Sequence, residues 1–274
     1  MQTQPDIFIF TALPCEAKPL VDRFGLKKHL NIDPFAIYSH GDYCLTVSGL
    51  GKSAMAAAVA YTLALFANAN NPVLINIGIA GHQSYQLGEH FIADKITDLD
   101  SKRNFYPPLI YNPTCHTASV ITVSIPQNHY RQDCLFDMEA SAFYETALKF
   151  TSAELVQCLK VISDNESSPT KNIQPKLVSQ WIEENIEFAE ILIKELTLLA
   201  KIIEPPEPEY FDEITDQWRF TVSEQHKLKQ LLLRHQALTG NQLPEINKSE
   251  YSSAKILLRW LEMNLEKASL SMRL

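Results

Sequence analysis

The chain has 274 residues, 46% of them hydrophobic, and its 32 acidic against 24 basic side chains give a net charge of −8. That length and apolar content suffice for a full core in one large domain, or in a domain with an appendage. The acidic balance argues against a nucleic-acid partner or an anionic membrane surface, either of which calls for a basic face. The segment from Met1 to Asp6 carries no basic residue, and the apolar run Ile7 to Phe10 is too short for a signal peptide or a membrane span, so a cytoplasmic protein is expected. Cys15, Cys44, Cys115, Cys134 and Cys158 are scattered and without CxxC spacing, so most are expected to be core thiols, with no disulfide framework, metal or cofactor.

Residues 6 to 12 form an apolar run ending at Leu13-Pro14, which predicts a buried strand and a turn into a helix around Glu16 to Phe24. Phe35 to Ser39 and Tyr43 to Ser48, separated by His40-Gly41-Asp42, predict a hairpin. After Gly49-Leu-Gly51, the alanine-rich stretch through Phe66 predicts a helix with a side small enough to pack closely on a sheet. Val73 to Gly78 reads as a buried strand and Gly78-Ile-Ala-Gly81 as a tight turn after it, where backbone can approach a ligand. Strands follow at Glu89 to Ile96 and Ala118 to Val123, then a helix from about Glu139 to Phe150, a strand from Leu155 to Ile162 and a long helix from about Lys176 to Ile202. The alternation predicts an α/β layered fold with an internal sheet.

The pattern stops at Ile202-Ile-Glu-Pro-Pro-Glu-Pro208, which reads as a stiff linker. Beyond it, Val222 to Thr239 and Tyr251 to Leu270 carry helical periodicity, with Leu228, Leu231 and Leu232, and Ile256, Leu257, Trp260, Leu261 and Leu265, at spacings of three and four. The expected organisation is a domain over 1–204, a linker over 205–221 and a helical appendage over 222–274, its two helices joined through Gly240 and Pro244. Their apolar stripes must be buried on the chain's own domain, a partner subunit or another protein.

Two carboxylates stand where an α/β protein presents ligand-contacting groups: Glu139 at a helix start, in Phe136-Asp-Met-Glu-Ala-Ser141, and Asp164 just past a strand, in Val161-Ile-Ser-Asp-Asn165. Acids in different environments can divide proton donation and hydrogen bonding between them. Each also has a bland reading, Asp164 as a turn cap and Glu139 as a glutamate favoured at a helix N-terminus.

Taken together, Ala12-Leu-Pro-Cys-Glu16, Ser48-Gly-Leu-Gly-Lys52, Asn76-Ile-Gly-Ile-Ala-Gly81, Asp137-Met-Glu-Ala140 and Ile162-Ser-Asp164 occur in an order and spacing that resembles the purine nucleoside phosphorylase and nucleosidase superfamily. The likeness runs over roughly residues 6 to 200 and is greatest to the methylthioadenosine/S-adenosylhomocysteine nucleosidase and futalosine hydrolase branch. It implies a three-layer α/β/α domain with a mixed central sheet, a small-molecule nucleoside substrate, cleavage of an N-glycosidic bond, and a homo-oligomer, taken as a dimer with the C-terminal helices as candidates for its interface.

By the same resemblance Asp164 is the acid that protonates the leaving base, and Glu16 helps position or activate water. Glu139 binds the ribose hydroxyls, with Met138 packing on the sugar and Asp137 beside it. Gly78, Ile79, Ala80 and Gly81 form the backbone wall, Ile79 standing where a serine is common. Asn128 falls near the place of a ring that stacks on the base, an absence that weakens purine binding or indicates another substrate unless Phe105, Tyr106 or Tyr111, which among paired prolines also read as loop packing, supply a replacement. A phosphorylase would need cations for phosphate, drawn from Arg23, Arg103 or Arg131, the only arginines before the tail. Asn76 stands where phosphorylases tend to carry arginine, which favours water as nucleophile. The alternatives are a phosphorylase and an inactive nucleoside-binding or interaction protein.

Overall fold

The computed structural model describes residues 5–66, 71–110, 115–127, 130, 132–203, 208–239, 246 and 251–271. The chain divides into two compact units, 1–204 and 205–274.

In chain order the first unit runs β1 (Ile7–Thr11), α1 (Pro14–Phe24), β2 (Lys27–Lys28), β3 (Ala36–His40), β4 (Tyr43–Val47), α2 (Lys52–Phe66), β5 (Val73–Gly81), β6 (His90–Asp98), β7 (Asn104–Phe105), β8 (Thr117–Thr122), β9 (Leu135–Asp137), α3 (Ala140–Ala147), β10 (Val156–Asp164), α4 (Pro175–Glu184) and α5 (Ile186–Ile203). β1 pairs in parallel with β4 and β5, and β5 in parallel with β10. β10 is antiparallel to β6, β6 is parallel to β8, β8 is parallel to β9, and β9 returns to β5 through Gly81 opposite Phe136. Five strands thus close on one another beside an open arm of β1, β4, β3 and β2.

Successive residues of β1 point to opposite faces, and both faces are apolar. Ile7 and Ile9 enter one core with Leu20, Ile182 and Leu192 of α1, α4 and α5, while Phe8 and Phe10 enter the other with Met55 and Val59 of α2 and Phe143 of α3. A sheet covered by helices on both sides needs this continuous hydrophobic run rather than alternation. The architecture is three layers, α/β/α, around a mixed sheet.

Three expectations are corrected. The segment Gly78–Gly81 is no turn but the end of β5, because β10 pairs with it throughout, Lys160 opposite Gly78 and Asp164 opposite Gly81 with a register shift at the end. The predicted helix from Lys176 to Ile202 is two helices. Asn185 interrupts it, turning its side-chain amide onto the carbonyls of Trp181 and Gly88 at 2.7 and 3.0 Å, so one side chain caps α4 and ties it to the loop before β6. Of the cysteines only Cys44 and Cys158 are buried, the other three being intermediate, and all five are free thiols.

The second unit contains α6 (Phe211–Gln217), α7 (Val222–Thr239) and α8 (Ala254–Ser271). α6 lies inside the stretch read as linker, and Phe211, Ile214 and Trp218 join Leu228, Leu232, Leu257, Leu261 and Leu265 in one core. The apolar stripes of α7 and α8 are therefore buried largely on each other and on α6. Ile256 points outward and Leu258 takes the buried place. Trp218 Nε1 donates to the Tyr251 carbonyl at 2.8 Å, satisfying the one polar atom of a buried indole. Gly240 and Pro244 fall outside the described residues. No described helix is long and apolar enough to cross a membrane.

Candidate active site

A cavity of about 270 Å³ opens at the carboxyl ends of β1, β5 and β10, lined by Glu16, Asp137, Glu139 and Asp164 with Leu50, Phe136, Met138 and Ile173 among the apolar walls. Carboxyl ends of parallel strands are where an α/β fold leaves an open crevice. Ile79, Ala80 and Gly81 line it too. Gly78 lies beneath it, where an added Cβ would stand 3.1 Å from Glu16 Oε1. Asn128, Tyr111 and Arg131 fall outside the described residues.

Glu16 sits at the third position of α1, behind a helix start set by Pro14, whose fixed φ and missing N–H suit the first turn. Its Oε2 accepts the backbone N–H groups of Ala12 and Leu13 at 2.8 Å each, and its Oε1 that of Ile79 at 2.9 Å. Burial pushes its carboxyl above the ordinary value, against the pull of those donors. Glu139 precedes α3, and its Oε1 accepts the Gly51 N–H at 2.7 Å. Burial first, then the neighbouring Asp137, raises Glu139 from 4.5 to about 7. Asp164 ends β10 and accepts from Ser163 Oγ at 2.5 Å on Oδ1, and from Thr170 Oγ1 at 3.2 Å and the Tyr130 hydroxyl on Oδ2. The three predicted acids converge on one cavity.

Beneath them lies a residue that the motifs do not single out. Lys160 is 1% exposed, and its Nζ donates to Asn76 Oδ1 at 2.6 Å and pairs with Asp137 Oδ2 at 2.7 Å. Burial opposes its charge, but Asp137, with Cys158 and Glu139 adding, outweighs that and raises its affinity for the proton. The remaining lone pairs of Asp137 take Thr122 Oγ1 at 2.7 Å and the Ala140 N–H at 2.7 Å, which fixes the start of α3 and hence Glu139. A lone lysine in the otherwise apolar run Val156 to Ile162, broken elsewhere only by Gln157, was the available signal. Asn76 is thus a buried partner of Lys160 rather than a cavity residue, its amide donating to the Phe10 carbonyl at 3.0 Å.

Neither described arginine offered for phosphate reaches the cavity. Arg23 is paired with Glu190 at 2.8 Å and Arg103 with Glu145. Among the described lining residues there is no Lys, Arg or His. Among the described residues the rings that line the cavity are Tyr130 and Phe136; Phe105 packs on Tyr144, and Tyr106 is exposed, so neither replaces a stacking ring.

The state of Glu139 has a consequence for stability. A carboxyl raised in the folded protein holds its proton where the unfolded chain has lost it, so its contribution is full below about pH 4.5 and is lost as pH rises through about 7. Glu139→Gln is expected to remove this slope, making the variant more stable than wild type at pH 8 by about 1 to 3 kcal/mol, with the difference gone near pH 4.5. Denaturant titrations at both pH values check this, and a constant difference would refute it.

The fold of the first unit and the cavity at its strand ends define a class, the nucleoside phosphorylase-like α/β fold. Among solved structures, the chain is similar to the 5′-methylthioadenosine nucleosidase of Arabidopsis thaliana, at 15% identity over 71% of this chain and 96% of that one, with a TM-score of 0.59. It is similar also to the 5′-methylthioadenosine/S-adenosylhomocysteine nucleosidase of Helicobacter pylori, at 12% identity, 70% and 99% coverage and a TM-score of 0.58. The MTAN of Chlamydia trachomatis gives 19% identity, 67% and 97% coverage and a TM-score of 0.53. Identities this low establish the fold alone. No protein-family model and no curated protein sequence matches the chain.

Proposed function

We propose that the chain is a nucleosidase that hydrolyses the N-glycosidic bond of a purine nucleoside. The observation that carries this reading is the lining: Glu16, Glu139 and Asp164 in one cavity, the fourth acid, Asp137, being neutralised by Lys160 beneath it, and, among the described lining residues, no cation. Breaking that bond builds positive charge on the ribose, which carboxylates stabilise, and leaves negative charge on the base, which a proton must neutralise. A phosphate dianion, by contrast, would find no guanidinium fork to hold it among the described lining residues.

In this reading Asp164 gives its proton to the base as the C1′–N bond breaks and the bond's electron pair goes to the base nitrogen. Glu16, held by three N–H donors, takes a proton from the water whose oxygen bonds to C1′. Its raised proton affinity suits a general base. Glu139 accepts from the ribose hydroxyls, and Met138 and Leu50 supply apolar contact. The same fold in three solved nucleosidases supports the substrate class. Base release should proceed at the same rate with and without phosphate, and yield the free sugar. Formation of a sugar 1-phosphate would instead identify a phosphorylase.

A further inference from the structure

Three hydroxyl groups converge on the Asp164 carboxylate, and two come from its own strand end and the loop after it. The third, from Tyr130, reaches it across 34 residues of sequence. Gly81 makes the room: a Cβ at that position would stand 2.5 Å from Asp164 Oδ2 and closer still to the Tyr130 oxygen. Tyr130 is 3% exposed, with its ring tilted against Phe136 at a centroid distance of 5.3 Å. Burial and the carboxylate keep its phenol protonated, so the hydroxyl is the donor.

We propose that Tyr130 is a positioning residue for Asp164, holding the carboxyl at the leaving-group end of the cavity and stabilising the charge that appears on it when its proton passes to the base. This rests on the nucleosidase reading. A hydroxyl donated to a carboxyl oxygen favours the charged form over the neutral one. The charge develops on Asp164 as the C1′–N bond breaks, and a donor already in place stabilises it without reorganisation. Removing the hydroxyl therefore has two effects of opposite sense: slower turnover on the acidic plateau, and an alkaline limb displaced to higher pH.

The other titratable groups around this end are Glu16, Asp137 and Glu139 in the same cavity, Lys160 bonded to Asp137, and His82, which follows Gly81 and whose Nε2 meets Asp133 at 3.0 Å. Tyr130→Phe leaves all of them in place and keeps the ring on Phe136, so a moved limb reports the lost hydroxyl.

The test is the pH–rate profile of Tyr130→Phe beside wild type, on whichever nucleoside the wild type cleaves. The expected result is a plateau kcat lower by about ten-fold, KM within about three-fold, and an alkaline limb displaced upward. An unmoved limb with unchanged kcat overturns the proposal, as does a rise in KM alone, which would make Tyr130 a substrate contact. A double-mutant cycle of Tyr130→Phe and Asp164→Ala, read by denaturant unfolding, examines the contact without turnover. Coupling of about five-fold or more in the folding constant supports the contact, and simply multiplicative effects overturn it. Lack of cleavage by wild type defeats the nucleosidase reading instead, so the two failures are distinct.

Discussion

Asp164→Asn is expected to lower turnover by about 10²- to 10⁴-fold, the usual range for losing a positioned general acid, while leaving the fold intact. The amide is nearly isosteric with the carboxyl, and its oxygen still accepts from a hydroxyl neighbour, either Ser163 Oγ at 2.5 Å or Thr170 Oγ1 at 3.2 Å. What it cannot do is release a proton to the departing base. The loss should therefore fall on kcat, with KM changed far less. Circular dichroism and the unfolding midpoint establish that the variant is folded, and steady-state kinetics then give the split. A folded variant with undiminished kcat would remove Asp164 from the mechanism.

Lys160→Ala is expected to destabilise the first unit by about 3 to 5 kcal/mol, because it strips the counter-charge from an Asp137 side chain that is 0% exposed. The remaining partners of Asp137, Thr122 and backbone N–H groups, are neutral. Asn76 loses its 2.6 Å donor as well, and a cavity opens between β5 and β10. Denaturant unfolding measures the cost. A loss under about 1 kcal/mol would mean that the ion pair is solvated in the protein, and that Lys160 does not balance the acidic cavity above it.

Where an element is dictated by its own residues, it was legible in the sequence. The first strand and helix, the hairpin at Gly41 and α7 all follow from local apolar pattern and turn chemistry. The run Gly78-Ile-Ala-Gly81 misled because glycines signal turns. Here they serve close approach: Glu16 needs the missing Cβ of Gly78, and the contact of Tyr130 with Asp164 needs that of Gly81. Pairing with β10, some 80 residues away, and with β9 at Gly81 keeps the segment extended. The break at Asn185 was equally hidden, since its cause is a hydrogen bond to Gly88.

The candidate site divides in the same way. Glu16, Glu139 and Asp164 were found through ordered motifs, and the fold brings them together. Lys160 had a visible signal, a charge inside a buried strand. Tyr130 had none, because a tyrosine in a Pro/Gln/His-rich loop reads as surface until the fold turns it onto Asp164.

The most direct measurement of the central claim is free-base release from a panel of purine nucleosides, varied at the 5′ position and incubated with the purified protein at neutral pH in phosphate-free buffer. Cleavage by water predicts release of base from at least one nucleoside, with free sugar as co-product and the activity lost in Asp164→Asn. Release that requires phosphate, or no release from any member of the panel, would contradict it.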